Sequence, residues 1–176
     1  MKKIVWVIAL ILIIALSIYL VWNWAAHAGR DDGDCLTERV KVQQFQSAIG
    51  EFGALNVNEA AQLWGKGVQD RNGALQYAVM SDELKKTYKE TLDKNNPTWV
   101  TGVSSPWVEK YAILQSTKAS KDEYSVVMEF SLATSAGSEG KHLATLSIFR
   151  DGRYWVINNV EGDEIILGLA GFETKE

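Results

Sequence analysis

The stretch Tyr124–Ile148, YSVVMEFSLATSAGSEGKHLATLSI, decides the fold because its hydrophobic pattern has a period of two. Apolar side chains alternate with small or polar ones on both sides of a Gly- and Ser-rich stretch, residues 133–141. This alternation is typical of strands that bury one face. The stretch therefore predicts two antiparallel strands with a turn at Ala133–Lys141.

The strand pattern continues on both sides of this pair. Residues 107–114 alternate in the same way and predict a preceding strand. Asp151-Gly152 is typical of a two-residue hairpin and predicts a following strand at Arg153–Val160. A short last strand is predicted at Ile165–Leu169. Together these segments predict an antiparallel meander.

Before the strands the hydrophobic period is helical. Asn56 followed three residues later by Glu59 is typical of a capping box, and apolar residues recur at helical spacing between residues 60 and 68. Ala74–Met80 predicts a short helical turn, and Ser81 is a suitable N-cap for one more helix.

Residues 36–52 have a mixed pattern that favours a helix, although Val40 and Val42 alternate as in a strand. Helices followed by an antiparallel meander predict the α+β class. We expect about three helices packed on a curved antiparallel sheet of roughly four to five strands, forming one domain over residues 36–176.

The N-terminal region has a different character. Ile4–Ala26 contains no charged residue in 23 positions and follows Lys2 and Lys3 directly. A helix of this length reaches roughly 34 Å, enough to cross the ~30 Å hydrocarbon layer. Residues 1–26 are therefore predicted to be a transmembrane anchor of a single-pass protein. The positive-inside rule places the N-terminus in the cytoplasm and the domain outside the cytoplasmic membrane.

A cleaved signal peptide is the alternative, since Ala26-His27-Ala28 fits a small-x-small cleavage site and would release a secreted protein. The uncleaved anchor is favoured because the apolar run exceeds the ~7–15 residues of an ordinary signal sequence. Residues 27–35 are predicted to be a linker. Its ligand-type side chains, among them His27 and Cys35, match no zinc or calcium spacing, so no metal site or cofactor is predicted.

Charge and cysteine content narrow the classes of partner. After the anchor come 22 acidic and 16 basic residues, a net charge of −6. This acidic balance argues against binding of nucleic acid. The single cysteine, Cys35, excludes an internal disulfide, and an exported domain without disulfides indicates a bacterial exterior.

Two segments resemble a known family: AAQLWGKGVQDRNGALQYAVMSDELKKTY at residues 60–88 and WVTGVSSPWVEKY at residues 99–111. With the antiparallel strands that follow, they resemble exported nuclear-transport-factor-2-like (cystatin-like cone) domains of Gram-positive bacteria, over residues 55–160. The resemblance implies a cone in which helices cover the concave face of a bent sheet and can enclose a pocket. Because this fold hosts enzymes and assembly proteins alike, it leaves function open.

Two residues are weak candidates for catalysis. Glu109 is expected to share a strand face with Trp107, Tyr111 and Ile113, where a buried carboxylate could act as a general base. His142 is expected on the side of its strand that carries Ala144. The competing interpretations are a solvated carboxylate and an ordinary histidine at a strand end. Without a second catalytic partner in the pattern, neither residue defines an active site.

Aromatic residues offer a further possibility. They could line a cone-shaped pocket for an apolar ligand, or simply form the core, which is the commoner role of large aromatics. The residues concerned are Tyr77, Tyr88, Trp99, Trp107 and Trp155.

These observations favour a non-enzymatic function: an interaction or assembly domain held at the outer face of the membrane by residues 4–26, with a protein partner or self-association. One alternative is a small-molecule-binding or isomerase- or dehydratase-like domain that uses the cone pocket. Another is a component of a conjugation or secretion complex of the cell envelope.

Overall fold

The chain forms two compact units, Met1–Phe45 and Gln46–Glu176. The structure, a computed structural model, describes residues 14–22, 42, 44–45, 48–49 and 52–173. Residues 14–22 of the first unit are helical and exposed. None of the helices in these described ranges is long and apolar enough to cross a membrane. Most of the predicted anchor and the whole predicted linker, residues 27–35, lie outside the described residues.

In the second unit, helices precede the antiparallel meander along the chain, and a further helix follows it. The elements are α1 (Val57–Gln69), α2 (Gly73–Ala78), α3 (Asp82–Asn95), β1 (Trp107–Ser120), β2 (Glu123–Thr134), β3 (Gly137–Asp151), β4 (Tyr154–Gly162) and α4 (Glu164–Ala170). The four strands form one antiparallel sheet in the order β1-β2-β3-β4. The predicted α+β class with an antiparallel sheet is thereby confirmed. Within the predicted helix at 36–52, the described positions 42, 44–45 and 48–49 are helical.

Local hydrogen bonds begin the helices where the sequence predicts. At α1, Asn56 Oδ1 accepts from the Glu59 amide at 2.9 Å, and the Glu59 carboxylate accepts from the Leu55 amide at 2.7 Å. At α3, Ser81 Oγ accepts from the Leu84 amide at 3.3 Å. Each bond satisfies an amide that has no partner within its helix, so both predicted caps are confirmed.

Two predicted turns are placed differently by the strand pairing. The expected long turn at residues 133–141 is wrong, because β2 and β3 pair as far as Thr134 and Gly137 and leave only two residues between them. The turn between β3 and β4 is formed by residues 152 and 153, one position later than predicted, since Asp151 pairs with Tyr154.

The predicted last strand at Ile165–Leu169 is also wrong, because this segment is the helix α4. Its buried residues are Ile166 and Ala170, which stand four apart and therefore share one helical face. Gly171 ends the helix in the left-handed region with φ of 87°, where glycine is favoured. A short apolar run fits either a strand or a helix, and packing decided between them.

Side chains of the helices pack against one face of the sheet. Trp64 of α1 packs edge-to-face on Phe130 of β2, with ring centroids 5.8 Å apart. Large residues from the helices, from the connection between α2 and α3, and from β2, β3 and β4 are almost completely buried: Trp64, Met80, Tyr88, Leu92, Met128, Phe130, Leu132, Leu146, Ile148, Ile157 and Ile166. The space between the helices and the sheet is thus a packed core.

Candidate interaction surface

Glu109 lies in a β-bulge at the start of β1. The register passes from Val108 opposite Leu132 to Lys110 opposite Ser131, so Glu109 is the extra residue. Val108 is buried before the bulge, and the half-buried residues after it are Tyr111 and Ile113.

The side chain of Glu109 is exposed. Its backbone carbonyl oxygen accepts a hydrogen bond from Gln69 Nε2 at 2.7 Å. The expected common face of Glu109 with Tyr111 and Ile113 is wrong, because one extra residue reverses the alternation. A prediction that assumes a strict period of two cannot reveal an extra residue of this kind.

His142 lies on the inner side of β3, as predicted, with 18% of its side chain exposed. Its Nδ1 is 3.2 Å from Asp163 Oδ2, which also accepts from the Leu143 amide at 3.1 Å. The Asp163 amide in turn donates to the Leu143 carbonyl oxygen at 3.1 Å. These contacts tie β3 to the residue that precedes α4.

The aromatic residues considered as pocket lining are divided among separate contacts. Tyr77 packs on Trp99, with ring centroids 5.3 Å apart. Trp155 packs on Tyr124 at 5.5 Å. Trp107, at the start of β1, is 38% exposed.

Tyr88 is the member of this set that belongs to the core, with 1% of its surface exposed. Its ring contacts Phe172 at a centroid distance of 5.0 Å. Burial raises the pKa of the Tyr88 hydroxyl above its usual range, so this group remains a neutral donor.

A groove lies between the C-terminal half of α3, residues 101–106 and α4; we call it the α3–α4 groove. Its volume is about 530 Å³. The apolar residues that line it include Leu92, Val103, Ile165, Leu169 and Phe172, and the polar ones include Asn95, Asn96, Ser104 and Glu164. None of the predicted site residues lines this groove.

One wall of the α3–α4 groove is a loop held by hydrogen bonds. The Arg71 guanidinium donates to the carbonyl oxygens of Val103 and Ser104, each at 3.3 Å. Thr101 is buried, and its hydroxyl accepts from Gln76 Nε2 at 3.3 Å. Gly102 has φ of 58°, and a Cβ at this position would lie 3.0 Å from Leu169. A loop supported in this way is preformed.

The segment that leads from α3 to this loop is held by a contact of the Trp99 side chain. Trp99 Nε1 donates to Asp93 at 2.9 Å, and Lys89 also pairs with this carboxylate. Partial burial raises the pKa of Asp93, but the hydrogen bonds from Lys89 and Trp99 and the Lys89 charge outweigh it, so the pKa is lowered overall. Asp93 therefore remains ionised and anchors the segment that leads to the loop.

The residues around the α3–α4 groove do not suggest a metal site. Among the residues that the structure describes, no three His, Cys, Asp or Glu side chains come together in a metal-binding arrangement. The predicted linker with His27 and Cys35 lies outside those residues.

The sequence offered only one indirect signal for the α3–α4 groove. Val103 is a large apolar residue between Gly102 and Ser104, Ile165 directly follows Glu164, and 62 positions separate Val103 from Ile165 in the chain. Only the packing of α4 beside the loop brings these two segments to one groove.

Comparisons by sequence give no family: no protein-family model matches, and no curated protein matches this chain.

Comparisons by structure find solved proteins that this chain resembles weakly. An NTF-2-like protein of unknown function from Shewanella oneidensis MR-1 matches with a TM-score of 0.43 and 15% identity, covering 60% of this chain and 94% of that one. The intermembrane space region of the chloroplast protein ARC6 matches with a TM-score of 0.41 and 12% identity, covering 58% and 90%.

A third solved structure, a protein of unknown function with a cystatin-like fold from Nostoc punctiforme PCC 73102, has a TM-score of 0.37 and 10% identity, covering 62% of this chain and 95% of that one.

Proposed function

We propose that this chain is a single-pass membrane protein whose C-terminal domain lies outside the cytoplasmic membrane and binds a partner protein or further copies of itself. The anchor is the charge-free run Ile4–Ala26, and the flanking Lys2 and Lys3 favour an N-terminus inside. The domain acts without catalysing a reaction.

The observation that carries the non-enzymatic proposal is the packed core between the helices and the sheet. An isomerase- or dehydratase-like site needs an open cavity with a carboxylate inside it. Here Trp64, Phe130 and Met128 fill the space between α1 and the sheet with almost no exposed surface. Glu109, the candidate base, is exposed in a bulge. The filled interior favours a surface function over a pocket function.

The orientation is tested by labelling single cysteines in intact cells with a membrane-impermeant maleimide. Cys35→Ser removes the only native thiol, and Ser135→Cys places a new one in the exposed turn between β2 and β3. We expect this cysteine to react in intact cells. The control carries Lys3→Cys together with Cys35→Ser and keeps Ser135. Its cysteine should react only after permeabilisation. Labelling of Ser135→Cys only after permeabilisation would contradict the outward orientation.

The state of the N-terminus is measured on the same labelled protein by intact mass. The proposal expects the full chain in the membrane fraction. A mature chain that begins at Gly29 and is found in the medium would remove the anchor from the proposed function.

The interaction is tested by chemical cross-linking in cells. We expect the full chain to give a discrete cross-linked product that disappears when the chain ends at Cys35. A full chain that stays uncross-linked and migrates as a monomer in native gels would contradict the interaction function.

A further inference from the structure

We infer that the α3–α4 groove binds a short segment of a partner protein in which apolar side chains stand next to a Lys or Arg. This inference rests on the proposed interaction function and gives that function a surface and a partner chemistry.

The apolar part of the inference comes from residues left uncovered by the fold. Val103 is 69% exposed and Ile165 is 47% exposed, and both line the groove together with half-buried Leu169. Covering such side chains removes apolar surface from water, which lowers the free energy. A partner segment that places apolar side chains here therefore gains free energy of binding from the burial of apolar surface.

The preformed walls lower the cost of binding. The Arg71 guanidinium holds the loop through the Val103 and Ser104 carbonyl oxygens, and Tyr88 holds the end of α4 through Ala170. Because these supports are already in place, little ordering of the domain is required when a segment binds.

The charge of the partner follows from Glu164. This exposed carboxylate lines the groove, and none of the residues that line it is basic. Asp163 precedes it, and Glu161 is exposed close by in the chain. Lys94, at the C-terminal end of α3 next to groove-lining Asn95, is already paired with Glu173 at 3.7 Å. A cation supplied by the partner therefore finds complementary charge beside the apolar surface.

A peptide segment suits this groove better than a small apolar ligand. Small-molecule sites bury most of the ligand surface, roughly 70–90% of it. The exposure of Val103 and Ile165 shows that the groove is open to solvent. An open groove can hold side chains of a segment whose backbone remains outside it.

The test uses the full chain in phosphatidylcholine nanodiscs and fluorescence anisotropy of labelled synthetic peptides. A short Leu/Lys peptide is compared with a Leu/Glu peptide and a Ser/Lys peptide of the same length, and empty nanodiscs correct for binding to lipid. We expect the Leu/Lys peptide to bind about tenfold more tightly than either of the others.

Two substitutions in the groove identify the site. Glu164→Lys should reverse the preference between the Lys and Glu peptides, and Ile165→Ser should weaken binding of the Leu/Lys peptide about tenfold. Glu83→Lys is the matched control for charge, since Glu83 is also exposed in the first turn of a helix. Leu114→Ser is the control for an exposed apolar residue outside the groove.

Equal binding of the Lys and Glu peptides, or an unchanged preference in Glu164→Lys, would overturn the inference. So would tighter binding of the neutral probe N-phenylnaphthylamine than of every peptide, because the groove would then be a small-ligand site. All four substituted side chains are exposed, and circular dichroism should show the same fold in each variant.

The cross-linked product in cells separates this inference from the proposed function. We expect the product to be lost in Glu164→Lys/Ile165→Ser and kept in Glu83→Lys/Leu114→Ser. A product that depends on the domain but persists in the groove variant would overturn the groove and leave the proposed function standing. The absence of any product from the full chain would contradict the proposed function itself.

Discussion

The hydroxyl of Tyr88 in α3 donates to the carbonyl oxygen of Ala170 at the end of α4 over 2.7 Å, although the two residues are 82 positions apart. Both residues are buried. The last carbonyl groups of a helix have no partner within it, so Tyr88 satisfies one of them from another element. This bond joins the two helices that form the α3–α4 groove.

Tyr88→Phe should lower the free energy of unfolding by about 1–2 kcal/mol, because a buried carbonyl loses its donor while the ring is kept. Urea unfolding of the full chain in detergent, followed by tryptophan fluorescence, measures this. Tyr124→Phe is the control: its ring packs on Trp155, and its hydroxyl makes no hydrogen bond with the described part of the chain. Equal losses in the two variants would show that the Tyr88 bond has no special role.

Gly67→Ala should destabilise the domain by about 1–3 kcal/mol through overpacking. A Cβ at Gly67 would lie 3.0 Å from the Gln76 amide nitrogen and 3.1 Å from the Asn72 carbonyl oxygen, and backbone atoms cannot easily move away. Gly168→Ala in α4 is the matched control, since a Cβ there meets nothing within 4 Å. The control should be neutral or stabilise by up to ~1 kcal/mol in the same unfolding experiment.

Asp93 should contribute to stability at neutral pH and lose this contribution in acid. Its pKa in the folded domain lies below the ordinary value of 3.8, so the contribution is present above 3.8 and is lost as the pH falls through the folded pKa. Asp93→Asn should therefore be less stable than the natural chain at neutral pH, and the difference should shrink in strong acid. A difference that does not change with pH would contradict an ionic origin.

Glu109→Ala and His142→Ala should both leave the cross-linked product in cells intact, because neither side chain lies in the α3–α4 groove. Glu109 is exposed, so its replacement should change stability by no more than about 0.5 kcal/mol. His142 contacts Asp163, so circular dichroism is needed to confirm folding of that variant. Loss of the product from a folded variant would point to a role for the residue in function.

Much of the fold could be predicted where neighbouring residues decide the outcome. The caps at Asn56 and Ser81 depend on hydrogen bonds to amides three positions away. The pattern of residues 124–148 depends on the alternation within each of its two strands. The bulge at Glu109 could not be predicted, because it arises from the register between β1 and β2. One extra residue moves every later side chain to the other face.

The groove could not be predicted for a similar reason. The loop that forms one wall follows α3, and the helix that forms the other wall follows β4. Only the folded meander between them brings the two walls together. The apolar content of each segment was visible in the sequence, but it was equally compatible with burial in the core.

By itself, the sequence determined the order of the elements from α1 to β4 and the charge-free N-terminal run, because periodicity, capping and hydropathy act between residues close in the chain. The tertiary structure decided which apolar side chains remained uncovered. Ile165 and Ile166 are chemically identical neighbours, yet Ile165 is 47% exposed and Ile166 is completely buried. The helix turns one toward the core and the other outward, and no local property of the sequence distinguishes the two.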